Sequence, residues 1–397
     1  MTKKNRGCRQ EVYSMDWIVV VDDDITNLKM AGRILSKNSM RVTALKSGYA
    51  LIDYIKTNKP DLILLDIKMP GLDGFETMRR IQEQMAPSEK IPVIFLTADD
   101  SQDAETQGLA LGAMDFIKKP FIPDVLVLRV RHTIDLVRLQ RDLEQENERI
   151  RSELAMASRI QAAMLPGIFP AFPERKEFDI YASMDPVRRV GGDFYDFFFV
   201  DRDRLCLLIA DVSGKGIPAA LFMMASKIIL ADNAKSGKSP AQILQDTNEA
   251  ICSNNPEGMF VTVWLGILDI TTGVLTTANA GHEYPALMHA GGQFELFRDK
   301  HGLVVGGMPG MKYHEHSLQM LPGSKLFVYT DGVPEATDSE NALFGTNRML
   351  QALNAHANDT PKEILRGVRL AVNEFVSDME QFDDLTMMCL EYMPKER

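Results

Sequence analysis

Two sets of carboxylates stand out for where they fall. Asp22 and Asp23 come directly after the apolar run WIVVV, and Asp66 closes the run DLILLD. If those runs are parallel strands, the three acids meet on one sheet edge. Carboxylates crowded into a partly desolvated cleft raise one another's pKa unless a cation neutralises them, so a Mg²⁺ site is the natural solution. With that charge balanced, one carboxylate can attack a phosphoryl group and become an acyl phosphate, and Asp66 is the candidate. Thr97 closes the next run, IFLT, and Lys119 the one after it, DFIKK. A hydroxyl and an ammonium at those ends could hold phosphoryl oxygens. Taken singly, an acid at a strand end is a turn former or a helix cap, as Asp23 and Asp24 could be; five groups on four strand ends point to a site.

The second set is embedded in glycine: Asp193 in RVGGDFYD, Asp211 in ADVSGKGIPAAL, Asp331 in YTDGVPEA, and Asp383 with Asp384 in FDDLT. Each follows or begins an apolar run, and glycine beside a ligand lets backbone carbonyls approach. There is no Ser-His-Asp set, no cysteine nucleophile motif and no P-loop, so group transfer here depends on metal. Oxygen-only ligation suits Mg²⁺ or Mn²⁺, and two such ions could activate water against a phosphate ester. Asp-Gly and Asp-Asp alone are ordinary turn residues; their joint occurrence argues for a shared site. A substrate phosphate also needs a cation, for which Arg188 or Arg189 is nearest in sequence, a solvated role being the alternative. His314 and His316 would share a strand face but lack a third ligand, and His282, in NAGHEYPAL, lies near the expected cleft.

These groups need two kinds of scaffold. From 16 to 122, short Val/Ile/Leu runs alternate with helix-period stretches, which specifies an α/β, doubly wound parallel sheet whose ligands bind at strand carboxyl ends. From Pro123 through Met164 there is no Pro or Gly, and the 123–165 segment reads as one long helix. Leu136, Leu143 and Ile150 recur at sevenfold spacing, with Asn147 and Leu154 on the complementary seam; Thr133 and Gln140 interrupt it. A coiled-coil homodimer and a helix packed on its own domain both fit. From 166 to 393 strand-length runs dominate, with hairpin signals at Thr272-Gly273 and Gly291-Gly292 and helix starts at Ser239-Pro240 and Thr360-Pro361, the pattern of an antiparallel α/β sandwich.

The motifs VVDDD, LLDIKMPGLDG, FLTA and KKPF resemble the CheY-like receiver family across 16–122. The resemblance implies Mg²⁺ on Asp22, Asp23, Asp66 and the Lys68 carbonyl, phosphorylation of Asp66 by a sensor histidine kinase, and Thr97 and Phe116 as reporters of the phosphorylated state. The family often has Tyr where Phe116 stands. SRIQAAMLP, the acid motifs and NAGHEYPAL resemble PPM/PP2C phosphatases of the SpoIIE branch. That resemblance implies two Mn²⁺ or Mg²⁺ ions on Asp193, Asp211, Asp331 and Asp383, with Asp211 bridging and Gly192, Val212 and Asp384 as candidates for added ligands. It further implies a phosphorylated anti-anti-sigma-like (STAS) protein as substrate. Ala210, and Glu283-Tyr284 after the histidine, depart from the common pattern without removing an acid.

The whole chain, 397 residues with 45% hydrophobic and 25% charged content, has the composition of folded globular proteins and the length of two domains. A net charge of −11 and a pI near 5.2, without a dense Lys/Arg run, argue against nucleic acid as a partner. No uncharged stretch approaches about 20 apolar residues, so a cytoplasmic protein without a membrane span is expected. Cys8, Cys206, Cys252 and Cys389 form no C-x-x-C pair and read as reduced thiols. Two other classes compete with a receiver-controlled phosphatase: a non-catalytic adaptor, against which four intact acids count, and a transcription factor, against which acidity and the lack of a helix-turn-helix pattern count.

Overall fold

The computed structural model describes residues 15–85, 90–98, 102–187, 189–377, 379 and 383–393. The chain parts into two compact units between Arg149 and Ile150. The first is built on β1 (Trp17–Val21), β2 (Arg41–Leu45), β3 (Leu62–Asp66), β4 (Val93–Thr97) and β5 (Asp115–Lys118). They form one sheet in the order β2-β1-β3-β4-β5, parallel throughout. Residues of β1, β3 and β4 alternate between two cores: Ile18, Val20, Leu62 and Leu64 in one, Val19, Val21, Ile63 and Leu65 in the other. That double burial is why these strands are unbroken apolar runs. β2 is a half-exposed edge, and its sequence RVTAL carries no such run, so sequence reading passes over it. Helices α1 (Ile25–Lys37), α2 (Gly48–Ile55), α3 (Gly74–Gln84) and α4 (Gln102–Ala110) make the crossovers.

Helix α5 (Pro123–Met164) is continuous for 42 residues. Leu126, Val127, Val130 and Ile134 bury against the first sheet, so its opening turns follow the packed-helix reading. Beyond them Leu136, Leu139, Leu143 and Ile150 are exposed.

The second unit contains two antiparallel five-stranded sheets, β13-β10-β9-β8-β7 and β12-β11-β14-β15-β6. The strands are β6 (Phe178–Asp185), β7 (Phe194–Phe199), β8 (Arg204–Val212), β9 (Val261–Asp269), β10 (Val274–Ala280), β11 (Ala286–Met288), β12 (Phe294–Leu296), β13 (Glu315–Gln319), β14 (Lys325–Tyr329) and β15 (Leu385–Tyr392). In β8, Leu205, Leu207 and Ile209 enter the core between the sheets. Cys206, Leu208 and Ala210 enter the core under α6 (Ile217–Lys235) and α7 (Pro240–Cys252). β15 alternates likewise between the inter-sheet core and that under α8 (Gly345–Ala355) and α9 (Pro361–Val376). The layers run helix, sheet, sheet, helix. Strands β11 and β12, of three residues each, escape sequence reading except for the Gly291-Gly292 turn between them, and β13, which reads EHSLQ, is announced only by the strand expected at His314 and His316, of which His316 alone lies in it.

Thr360 closes a full capping box on α9, and Ser239 precedes the first-turn proline of α7 without a side-chain cap bond. Thr272-Gly273 turns β9 into β10, and Gly291-Gly292 turns β11 into β12. Helix α6 is long and apolar enough to pass as a membrane span by length and composition, but it carries Lys227 and Asp232, and Ala219, Met223 and Leu230 bury it against the sheet. Cys206, Cys252 and Cys389 are free thiols; Cys8 lies outside the described residues.

Candidate functional site

In the first unit the parallel strands bring the expected groups to one edge. Oxygens of Asp22, Asp23 and Asp66 all lie within 4.8 Å of one another. Asp22 and Asp66 are buried, and Asp22 Oδ1 accepts from the Asp24 N–H (2.9 Å) and Asn27 Nδ2 (3.2 Å). The helix-capping role falls to Asp24, whose carboxylate accepts from the Thr26 N–H at 2.7 Å, leaving Asp22 and Asp23 to the site. Lys119 directly follows β5, and its N–H donates to the Thr97 carbonyl. Its Nζ lies 2.7 Å from Asp22 Oδ2 and 2.8 Å from Asp66 Oδ1. The Lys119-Pro120 peptide is cis. Burial raises the Asp66 carboxyl above its ordinary value, Lys119 pulls it back, and Asp22 and Asp23 push it up. Burial disfavours the Lys119 ammonium, but its two carboxylate partners outweigh that and hold its pKa up.

Two glycines shape this edge. A Cβ on Gly74 would lie 2.3 Å from the Asp66 carbonyl, so glycine lets α3 start against the Asp66 backbone. Gly108 gives the Phe116 ring its place: a Cβ there would lie 2.4 Å from Cζ. Phe116 tilts against Phe95, Thr97 is buried at the end of β4, and the Lys68 side chain is exposed.

In the second unit the acids come from both sheets. Asp193 directly precedes β7, Asp211 sits one residue before the end of β8, Asp331 follows β14 and Asp383 with Asp384 leads into β15. Asp211, Asp383 and Asp384 line one cleft, with Asp193 buried and Asp331 close enough to act on Asp211, but the acids do not converge to one point: among the described residues only the Asp22 trio brings one oxygen from each of three acids within 4.8 Å of one another. Asp193 is fully buried and its carboxyl is raised well above the ordinary range, by burial first and then by Asp211 and Asp384. Asp211 is pushed up to about 7 by burial and by Asp331, with Asp383 and Asp384 adding to it. Asp331 is pushed up to about 6 by burial, Glu335 and Asp383. Hard oxygen donors that raise one another in this way fit divalent cations, which would remove the repulsion.

Neighbours fix these acids. Thr330 Oγ1 donates to Asp193 Oδ2 at 2.6 Å. Asp384 accepts from the N–H of Val187 and of Gly192, both at 2.8 Å, so its carboxylate clamps the loop leading to Asp193. Gly192 lies against Val212: a Cβ there would be 3.0 Å from the Val212 carbonyl. At Gly332 a Cβ would be 1.9 Å from the Asp384 carbonyl, so the Asp331-Gly332 turn presses on the β15 entry. His282 is a buried strut. Its Nε2 faces the Tyr329 carbonyl at 3.0 Å, which can only accept, so Nε2 carries the proton and Nδ1 accepts from Thr262 Oγ1 at 2.8 Å. Thr262 pairs with Asp211 across β8 and β9.

Arg188 lies outside the described residues. Arg189 donates to the Arg151 carbonyl of α5, which turns it to the helix. The cation that does line the cleft is Lys215, its Nζ 2.7 Å from Asp383 Oδ2; sequence reading missed it, although its place between two glycines of positive φ in SGKG was a signal. His314 and His316 are not a pair. His314 is exposed before β13, whereas His316 Nε2 accepts from the Lys300 N–H.

Residues 18–131 match the family model of the response regulator receiver domain, and residues 201–393 that of stage II sporulation protein E (SpoIIE). The second match takes in Asp211, Asp331 and Asp383 and begins after Asp193. Protein IcfG of Synechocystis sp. is 30% identical over 267 residues, covering 60% of this chain and 41% of IcfG. The phosphoserine phosphatase RsbU of Bacillus subtilis is 27% identical over 251 residues, 63% of this chain and 72% of RsbU. The chain thus spans less than half of the length of the first of these relatives. In fold, the second unit is like the SiaA-PP2C domain of Pseudomonas aeruginosa, with a TM-score of 0.56 and 22% identity, covering 62% of this chain and 98% of that domain.

Proposed function

The chain carries a response regulator receiver domain joined to a SpoIIE/PP2C-type domain, and on that premise we propose that phosphorylation of Asp66 controls metal-dependent hydrolysis of a phosphoserine or phosphothreonine in a partner protein. The domains are 16–122 for the receiver, 123–165 for the helical linker and 166–393 for the phosphatase. One observation carries the reading: the half-buried carboxyl of Asp211 on β8 is pushed up to about 7 by burial and then by Asp331, Asp383 and Asp384, which the facing sheet brings against it. Such a cluster costs stability unless it binds cations, and an adaptor surface has no use for it.

In the receiver, Asp22, Asp23, Asp66 and the Lys68 carbonyl hold Mg²⁺. An Asp66 oxygen attacks the phosphoryl group offered by a sensor histidine kinase, displacing the kinase's histidine and leaving an acyl phosphate. Lys119 already contacts Asp66 and moves with the phosphoryl oxygens; Thr97, beside it, supplies a hydroxyl. Phe116, without a hydroxyl, reports by packing alone.

In the phosphatase, Asp193, Asp211, Asp331 and Asp383 hold two Mg²⁺ or Mn²⁺ ions, with the Gly192 and Val212 carbonyls beside them. When bound, such ions activate water and stabilise in-line attack on a phosphate ester. Asp384 stays with its two N–H donors and positions the loop. Lys215, rather than Arg189, meets the substrate phosphate. The substrate is a phosphorylated anti-anti-sigma-like (STAS) protein in a partner-switching pathway, acted on in the cytoplasm; likeness to RsbU supports it. The exposed Leu136, Leu143 and Ile150 support a homodimer through the linker helix.

The test is hydrolysis of p-nitrophenyl phosphate with Mn²⁺ by the parent protein and Asp211→Ala, each with and without beryllofluoride. Turnover that needs Mn²⁺, disappears in Asp211→Ala and responds to beryllofluoride is expected. No turnover here or on a phosphoprotein would favour the adaptor. Leu143→Pro is expected to abolish the beryllofluoride response while leaving turnover.

A further inference from the structure

Near the end of α5, Gln161 is 4% exposed, unusual for a long amide side chain on a helix. Its Nε2 donates to the Gly191 carbonyl at 2.7 Å, and the Gly191 N–H donates to its Oε1 at 3.1 Å. Both backbone groups of one residue are therefore paired with a single side chain, the exchange that an antiparallel strand neighbour would make. The other side of Gly191 is closed as well, since a Cβ there would lie 2.3 Å from Asp384 Oδ2 and 2.7 Å from Met184 Cε. The next residue, Gly192, gives its N–H to Asp384. The loop is thus gripped by α5 on one side and by the β15 entry on the other. A second tether, from the Arg189 guanidinium to the Arg151 carbonyl, joins the same loop to the same helix. The helix end is itself fixed: Leu165 packs against two cores, and the Pro166 carbonyl accepts from the Tyr195 hydroxyl.

We propose that Gln161 is the positioning residue through which α5 sets the Gly191–Asp193 backbone, and so the placement of Asp193 for cation binding. The proposal rests on the reading of Asp193 as a metal ligand. A leucine would fill the same space without a buried amide to satisfy, so packing alone does not call for glutamine. Two bonds to one peptide residue fix both its place and its orientation. Any turn or slide of the helix end acts first on Gly191, two residues from Asp193.

The experiment uses the full chain and the variants Gln161→Leu and Gln161→Glu. Amide exchange of the metal-free proteins is read residue by residue over 187–196. Mn²⁺ binding is measured by calorimetry, the heat lost in Asp211→Ala defining this site's share. Gln161→Leu is expected to speed exchange at Gly191 about tenfold, leaving β6 and β8 unchanged. Gln161→Glu keeps the acceptor and should retain protection at that amide. Mn²⁺ affinity should fall about 10- to 100-fold in Gln161→Leu, the usual effect of losing a group that orients a ligand. Affinity within twofold of the parent, or faster exchange spread evenly over β6 to β8, would overturn the proposal. A parent protein that binds Mn²⁺ through Asp211 yet hydrolyses nothing would overturn the phosphatase reading instead, and the exchange and calorimetry would still decide the role of Gln161.

Discussion

Replacing Asp384 by Asn tests whether that carboxylate works as a clamp. The side chain is nearly the same size, so the packing survives. Its two oxygens now serve the N–H groups of Val187 and Gly192, both at 2.8 Å. An amide has one acceptor oxygen, so one of those N–H groups would face an NH₂ donor. Losing a hydrogen bond to an ionised partner costs about 1.5–3 kcal/mol, and stranding the N–H adds about 1–3 kcal/mol. Against this, removing the charge relieves its repulsion of Asp193 and Asp211. The net expectation is a loss of about 2–4 kcal/mol, confined to the second unit. Trp264 is fully buried there, and the chain's other tryptophan, Trp17, belongs to the first unit. Urea unfolding followed by tryptophan fluorescence in a Trp17→Phe background therefore isolates the effect. Both Asp384→Asn and Asp384→Ala unfolding within about 0.5 kcal/mol of the parent, the range of a surface substitution, would refute the clamp.

Gly332→Ala forces a methyl onto the Asp384 carbonyl and should cost about 3 kcal/mol or more, read as a lower unfolding temperature of the second unit. Lys227 and Asp196 form a buried ion pair, so Lys227→Met alone should lose about 3–5 kcal/mol, and adding Asp196→Leu should recover most of it in the same urea assay. His282 is held neutral by burial, its pKa lowered to about 3, so it stays unprotonated in the fold while the unfolded chain takes up a proton below about 6.5. Its contribution is therefore present above that pH and is lost on acidification, at up to about 1.4 kcal/mol per pH unit; urea midpoints at pH 7 and 5 should fall less in His282→Gln than in the parent. Lys215→Gln should weaken turnover of a phosphoprotein more than Mn²⁺ binding, measured by kinetics and calorimetry.

What could be read in advance follows how local the signal is. β1, β3 and β4 announce themselves because both faces are buried, and the acids at their ends follow from that reading. β2 stays hidden because a half-exposed edge imposes little pattern, and β11 and β12 because three residues cannot show a period. Asp383 and Asp384 are adjacent and chemically alike; only the two N–H groups arriving from 187 and 192 separate a clamp from a candidate ligand. Gln161 stands in SRIQAAMLP, so its segment was marked by resemblance but its role was not, since its partner is 30 residues away and is a backbone, which has no side-chain identity. Lys215 differs: its glycine neighbours pointed to it, but proximity to Asp193 directed attention to the arginines.

The strand order of the second unit also bears on how the chain is made. β6 lies at a sheet edge and, among the described residues, pairs only with β15. A ribosome emits the two strands roughly 200 residues apart, and at about 5–20 residues per second β6 waits on the order of 10–40 s for its partner. During that time Phe178, Ile180 and Ala182, later part of the inter-sheet core, have no sheet to join. The nascent chain thus carries an unpaired apolar strand for most of the synthesis of this unit, a ready substrate for chaperones.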